Sequence, residues 1–440
     1  MRRSHYITSM AAVVLVFVAV AACARAQEES QLTEEQQRLN LESFDIIWAT
    51  IRDQYWDPEF GGLDWDAVRD ELRPKVEQAT SMTEARIAMD DMLKRLGKSH
   101  CGVIPADVYA NLDHPEAGGP MDGETGIDVR VIDGHVLVTG VREGSPADKA
   151  GAKPGWEITR IGEDDVAAGI KTLLEKLDDN SWKPSIISGA AQERQRGQIG
   201  STVTQEFLDG EDKPVKLELT LVEAKGNKSM FSNLPPLYVW IDTRTLPGNI
   251  GYITFNQFLD PVHVMPVFDK AMESYMDSDG VIIDIRGNSG GLPGMVTGMI
   301  AWFVDEDKKL LGTLHLRTIK DPIKLLTNIR VKTYPGPVAV VVDELSASAS
   351  EFFAGGMKDL GRATIIGKRT MGAAIPGRID KLPNGDAFIF AQANYVAASG
   401  KELEGVGVIP DIEIVPTRKA LLAGRDPALE AAIDWIKKRN

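Results

Sequence analysis

Apolar residues recur every three to four positions soon after residue 40. Leu41, Phe44, Ile47, Trp48, Ile51 and Tyr55 fall on one side of a helix. A second helix is predicted from Asp64, with Trp65, Val68 and Leu72 on its apolar side. Ser81 followed three residues later by Glu84 marks the start of a third. Its apolar stripe is Ala85, Met89, Met92, Leu93 and Leu96, and Gly97 fits its stop. Residues 40–117 therefore read as a helical region. The polar, Glu- and Gln-rich stretch 27–39 before it reads as a tether.

At Gly126 the period changes to two. Ile127, Val129 and Val131 alternate, and Val136, Val138 and Val141 follow across an Asp133-Gly134 turn. A helical stretch carries Leu173, Leu174 and Leu177, and a strand pair returns near 203–224 around Asp209-Gly210. Residues 118–226 thus form a β-rich domain, within which 180–200 reads as a long polar loop. From 236 to 440 short β-branched runs alternate with helices. The runs at 251–255, 280–286, 337–343 and 363–367 fit buried strands, and 265–276, 295–303, 351–360 and 427–438 fit helices. The whole is a multidomain α+β chain.

Length agrees with that division, because 440 residues exceed what one hydrophobic core organises. The net charge of −15, with no basic run, argues against a nucleic-acid partner. Residues 1–26 read as a signal peptide. Arg2 and Arg3 precede an apolar run, 11–22, too short to span a bilayer, which takes ~20 residues. Two cleavage sites compete. Val20-Ala21-Ala22-Cys23 has the form of a lipobox, in which Cys23 is acylated. Ala24-Arg25-Ala26 is an A-x-A site. The chain is therefore expected to be exported to a bacterial periplasm or cell envelope, with a membrane link only through a lipid on Cys23. Cys101 is the only other cysteine, and no clustered His/Cys spacing suggests a metal. No cofactor is expected.

Two stretches could carry chemistry. After the strand 337–343 comes Glu344-Leu345-Ser346-Ala347-Ser348-Ala349-Ser350, and then a helix. A serine at a helix start sits beside free N–H groups and the positive end of the dipole. That suits an oxyanion; it also suits three plain turn formers and caps. The second stretch is Gly287-Asn288-Ser289-Gly290-Gly291 at the end of the strand 280–286. Such glycines let backbone N–H groups face a ligand, but the pattern matches neither dinucleotide nor Walker loops.

Taken together, "DIRGNSGG", "SASASEFFAGGMKDLGRATIIGKRT", "GYITFNQF" and "ELEGVGVIPDIEI" resemble the core of the tail-specific (carboxyl-terminal processing) serine peptidases. "GIDV…GHVLVTGV…GSPADKAGAKPGWEI" resembles the PDZ domain these enzymes carry. The resemblance covers roughly residues 40–435. It implies a crotonase-like (ClpP-like) α/β core at 236–440, protein or peptide substrates, and Ser348 as nucleophile. The best-known branch uses a lysine base, but Ala373 stands at that position, and Lys368 reads as a surface residue. A Ser99-His100 pair, as in the tricorn-like branch, implies His100 as base, Ser99 as an orienting hydroxyl and Glu404 as the carboxylate behind them. Ala349 and Gly290, give or take one residue, would supply the oxyanion donors. The peptide-carboxylate loop of the PDZ domain would be Gly126, Ile127, Asp128 and Val129, with Asp128 bringing an unusual negative charge. Two other readings keep the fold without the catalysis: a binder of apolar ligands, and a lipoprotein scaffold that recruits another peptidase through its PDZ domain.

Overall fold

Helix formation starts earlier than the apolar pattern. In the computed structural model, which describes residues 31–106, 122–177, 182–230, 236–328, 330 and 332–439, the first helix is Glu34–Gln54. Thr33 and Gln36 form a reciprocal cap: Gln36 N–H donates to Thr33 Oγ1 at 3.2 Å and Thr33 N–H to Gln36 Oε1 at 2.9 Å. The expected tether 27–39 is thus helical from residue 34. Glu and Gln are good helix formers, and the cap supplies the start that an apolar stripe does not mark. The leader reading, with Cys23, lies outside the described residues.

Trp65–Glu77 and Met82–Lys94 follow, starting where the sequence predicts; Ser81 is the expected cap of the second, and Asp64 caps the first. These helices do not form a separate body. Phe44, Ile47, Leu72, Met89 and Leu93 share one apolar cluster with Phe388 and Phe390. The strand Gly102–Ile104 pairs antiparallel with Ala387–Ala391, so the helical region is stitched into the last third of the chain. Burying each of those phenylalanines contributes roughly 1.5–3 kcal/mol.

The β-rich module has strand order Ile127–Ile132, His135–Val141, Glu157–Ile161, Thr202–Leu208, Pro214–Thr220. Ile127–Ile132 is an edge strand. The expected polar loop 180–200 is instead largely a helix, Lys183–Glu193. Its buried residues are Ser185, Ile187, Ser188, Ala190 and Ala191, mostly small or hydroxylated, so it shows no apolar stripe.

The sheet of the last domain runs Ile241–Leu246, Ile250–Phe255, Gly280–Asp284, Val338–Val342, Thr364–Gly367, Ile412–Glu413, and is parallel beyond its first pair. Val338–Val342 is buried at every position, as a central parallel strand must be. Helices cover both faces: Pro261–Ser274, Pro293–Ile300 and Ala349–Asp359 on one, Pro427–Lys437 on the other. The loops at the carboxyl ends of the parallel strands, 285–292, 343–348 and 368–376, meet in one place. Open α/β sheets hold their sites there.

Candidate active site

The turn after Val338–Val342 distinguishes its three serines. Ser346 Oγ donates to Ile285 O at 2.8 Å and takes the Asp343 N–H at 3.0 Å. Ser350 Oγ lies 2.8 Å from both Asn288 O and Asn288 Oδ1. Those two are struts, the turn-former role. Ser348 sits between them at the start of the helix Ala349–Asp359 with φ 55° and ψ −117°. A non-glycine residue there carries ~1–3 kcal/mol of strain. Its N–H is held by Ala373 O and by Glu351 Oε2, both at 3.1 Å. Ala349 begins the helix, so the helix itself gives its N–H no acceptor.

Gly290 lies against this residue. A Cβ there would stand 2.7 Å from Ser348 Cβ and 2.9 Å from Ala349 N, at a φ of 104°. Gly290→Ala is therefore expected to push the turn at Ser348 out of place and to lower thermal stability, which a melting curve checks. The Gly290 N–H itself donates to Asn288 Oδ1 at 3.0 Å. The donor expected for the oxyanion is thus engaged by the loop's own asparagine. Asn288 in turn donates to Phe255 O at 2.9 Å, which anchors the loop to the sheet.

The Ser99-His100 pair follows the helix Met82–Lys94 and precedes the strand Gly102–Ile104. Both residues are buried, at 6% and 3% exposure, and His100 has φ 56°. Ser99 Oγ donates to Glu404 Oε2 at 2.9 Å and lies 2.7 Å from His100 Nδ1. A hydroxyl has one proton, so with that proton on Glu404 it accepts from Nδ1–H. The opposite nitrogen, Nε2, then carries the lone pair. It is buried and has no hydrogen-bond partner among the described residues. Burial pushes the imidazole down to about 3.

Two carboxylates, Glu351 buried and Glu404 part-buried, meet one loop. Glu351 takes Gly372 N–H at 2.7 Å, Ala373 N–H at 2.9 Å and Thr370 Oγ–H at 2.6 Å. Glu404 takes Ala374 N–H at 2.9 Å, Ile375 N–H at 3.2 Å and Ser99 N–H at 2.7 Å. Four successive amides, 372–375, are thereby fixed between the serine helix and the histidine turn. Burial raises both carboxyls, Glu351 to about 7 against its donors. The sequence reading passed over Glu351 and Thr370. The signal was present in Glu351 standing three residues after Ser348, but its partners are remote in sequence.

Ala373 is fully buried and packs with Ala347 and Met371. A methyl group offers no proton acceptor. Lys368 is part-buried rather than a free surface group, with its ammonium 3.3 Å from Glu344. On the β-rich module, Gly126 has φ 81° and a Cβ there would stand 2.2 Å from Ser145 Cβ, so glycine is required. Asp128 is exposed and faces Gly140 beside a bulge, while Ile127 and Val129 point into the module's core. The module docks on the sheet through Arg130, whose Nε donates to Asp343 Oδ2 at 2.8 Å.

Residues 249–414 match the model of peptidase family S41, and 40–94 match the tricorn protease C1 domain. The chain is 29% identical over 382 residues to the chloroplastic carboxyl-terminal-processing peptidase 3 of Arabidopsis thaliana, covering 83% of this chain and 67% of that protein. It is 24% identical to a tricorn protease homolog 2 of Streptomyces coelicolor, covering 89% of this chain and 32% of that one. A photosystem II D1 C-terminal processing protease superposes with a TM-score of 0.55 at 21% identity, over 90% of this chain and 99% of that one.

Proposed function

We propose that this chain, a serine-type peptidase of the carboxyl-terminal-processing family, cleaves polypeptides through an acyl-enzyme on Ser348 with His100 as base. The observation that carries the reading is the hydrogen-bond chain Glu404–Ser99–His100 ending on a bare Nε2. A serine hydroxyl is a weak nucleophile and needs a nearby base. His100 Nε2 takes the Ser348 proton as Oγ attacks the carbonyl carbon. The oxyanion faces the N–H of Ala349, and the Gly290 N–H joins it only on leaving Asn288 Oδ1. His100 then gives its proton to the leaving amine, and water releases the acyl group by the reverse roles. Ser99 and Glu404 are positioning groups that fix the tautomer.

No hydrogen bond joins His100 to Ser348 in this structure, and Ser348 is 1% exposed. The proposed mechanism therefore requires a shift of the turn 98–101 or of the loop 370–375 that brings base and nucleophile together. We assign 236–440 to the crotonase-like core and 118–226 to a PDZ domain, and place the chain outside the cytoplasm on the strength of residues 1–26, with a lipid on Cys23 if the leader is cut at its lipobox and none if it is cut after Ala26.

The test is labelling of the mature protein by a fluorophosphonate, with peptide mapping, in wild type, Ser348→Ala and His100→Ala. Modification at Ser348 that disappears in both variants is expected. Labelling that survives in His100→Ala at the wild-type rate would remove His100 from the mechanism. The depressed imidazole adds a pH expectation. His100 stays neutral through the range in which a free histidine, near 6.5, takes up a proton. The acid limb of kcat/KM should therefore lie well below pH 6. The sign for stability is opposite in effect: the unfolded chain binds that proton below about 6.5 and the folded chain only near 3, so stability falls as pH drops through this window. Paired rate and denaturant curves from pH 4 to 8 check both.

A further inference from the structure

The edge strand Ile127–Ile132 would ordinarily present free N–H and C=O groups to an incoming strand. Here the helix Lys183–Glu193 covers them. Val129 N–H donates to Gln192 Oε1 at 2.9 Å, and Gln192 Nε2 donates to Ile127 O at 3.1 Å. A single residue of a parallel strand makes this same pair of bonds, one on each side of the residue opposite it. Two positions on, Val131 N–H donates to Ser188 Oγ at 3.2 Å. One side-chain amide and one hydroxyl thus stand where a bound polypeptide backbone would.

The same helix holds the catalytic loops. Ser188 Oγ, while accepting from Val131, donates to Glu344 Oε1 at 3.1 Å, and Ser185 Oγ donates to Glu344 O at 2.5 Å. Trp182, which precedes the helix, donates from Nε1 to Gly372 O at 2.8 Å. Its ring packs on Ala347, Met371 and Ala373, beside Ser348. The helix therefore touches the module's free edge with one set of groups and the turn before the serine with another. Ser188 does both with a single oxygen.

We propose that the helix Lys183–Glu193 is an internal ligand of the edge strand Ile127–Ile132, and that an extended polypeptide adding to this edge displaces it and lifts Trp182 from the loop beside Ser348. This rests on Ser348 being the nucleophile. Edge occupancy and cover of the serine become one event: a bound strand needs Gln192 and Ser188 gone, and their departure loosens the hold on Glu344 and Gly372. The strand's ligand is recognised by its backbone, with little call on its side chains.

The experiment uses the mature chain and two variants, Ser188→Ala/Gln192→Ala and Trp182→Ala. Hydrogen exchange is read at the amides of Val129 and Val131, and the fluorophosphonate labelling rate at Ser348. In the double variant both amides should exchange faster and labelling should rise on the order of tenfold. In Trp182→Ala labelling should rise while the two amides stay protected. An unstructured polypeptide added to wild type should speed exchange within 183–193. Loosened amides with unchanged labelling, in a folded double variant, would overturn the coupling. Absence of labelling in all three chains would overturn Ser348 as nucleophile and the gate with it, and the amides would still report whether the helix caps the edge.

Discussion

Glu404→Gln should lower kcat by about 10³-fold and leave KM within a few-fold of wild type. The substitution keeps shape and removes charge. Glu404 accepts four hydrogens, two from Ser99 and one each from Ala374 and Ile375. A glutamine offers one acceptor oxygen and two N–H donors. Turned to serve Oε2, where three of the four donors converge, it aims its NH2 at the Ser99 N–H. Turned the other way, it frees the Ser99 hydroxyl to donate to His100 Nδ1, and the proton of the imidazole moves to Nε2. A histidine protonated at Nε2 cannot take the serine proton. Either way the imidazolium of the transition state loses the negative charge behind it. The proposed role of the carboxylate is exerted through the imidazole alone, which is why kcat and KM should part. A fall in kcat of less than tenfold, in a variant that melts within a few degrees of wild type, would separate Glu404 from the chemistry. An equal loss in KM would assign it to the shape of the loop alone.

That network was partly legible in the sequence. Ser99, His100, Glu404 and Ser348 sit in short stretches whose small residues and glycines mark strand ends and turns, and the structure brings the first three into hydrogen-bonding range. The helix start at Asp64 and the cap at Ser81 were legible too, because a cap is a local event: one side chain meets an N–H three residues away. The helix Lys183–Glu193 was not. Much of its buried side meets a polar strand edge and a carboxylate, so its inward residues are serines and alanines with a single isoleucine, Ile187, Gln192 is bonded to the edge, and the apolar period vanishes. The early start at Glu34 escaped for a related reason, since residues 34–39 are mostly exposed and present no core stripe. The engaged Gly290 N–H depends on where Asn288 turns its amide, which no spacing encodes. Glu351 stood in plain view beside Ser348, yet its meaning lies in Thr370, Gly372 and Ala373, some twenty residues on.

Those partners make Glu351→Ala the change with the largest expected effect on folding. The alanine leaves Gly372 N–H, Ala373 N–H and the Thr370 hydroxyl buried without acceptors, and removes one of two acceptors from Ser348 N–H. Each orphaned donor costs about 1–3 kcal/mol, part of it recovered if water enters, so a loss of about 3–5 kcal/mol is expected. Activity should fall at least 100-fold as well, because Ser348 keeps its strained φ of 55° only while its N–H is clamped. The loss should depend on pH, and its direction tests the carboxyl's state. Burial outweighs the donors and lifts Glu351 to about 7 from the ordinary 4.5. A raised carboxyl favours the protonated fold, so its contribution is full below 4.5 and declines as pH rises towards 7, where the unfolded chain has already ionised and the folded one has not. The gap between wild type and Glu351→Ala should accordingly shrink between pH 4.5 and pH 7, by up to about 3 kcal/mol at 1.36 kcal/mol per pH unit. Urea unfolding of both chains at pH 5 and pH 8 measures it. A gap that widens with pH would mean that the donors from residues 370–373 win over burial, and that the loop beside Ser348 is held by a full negative charge.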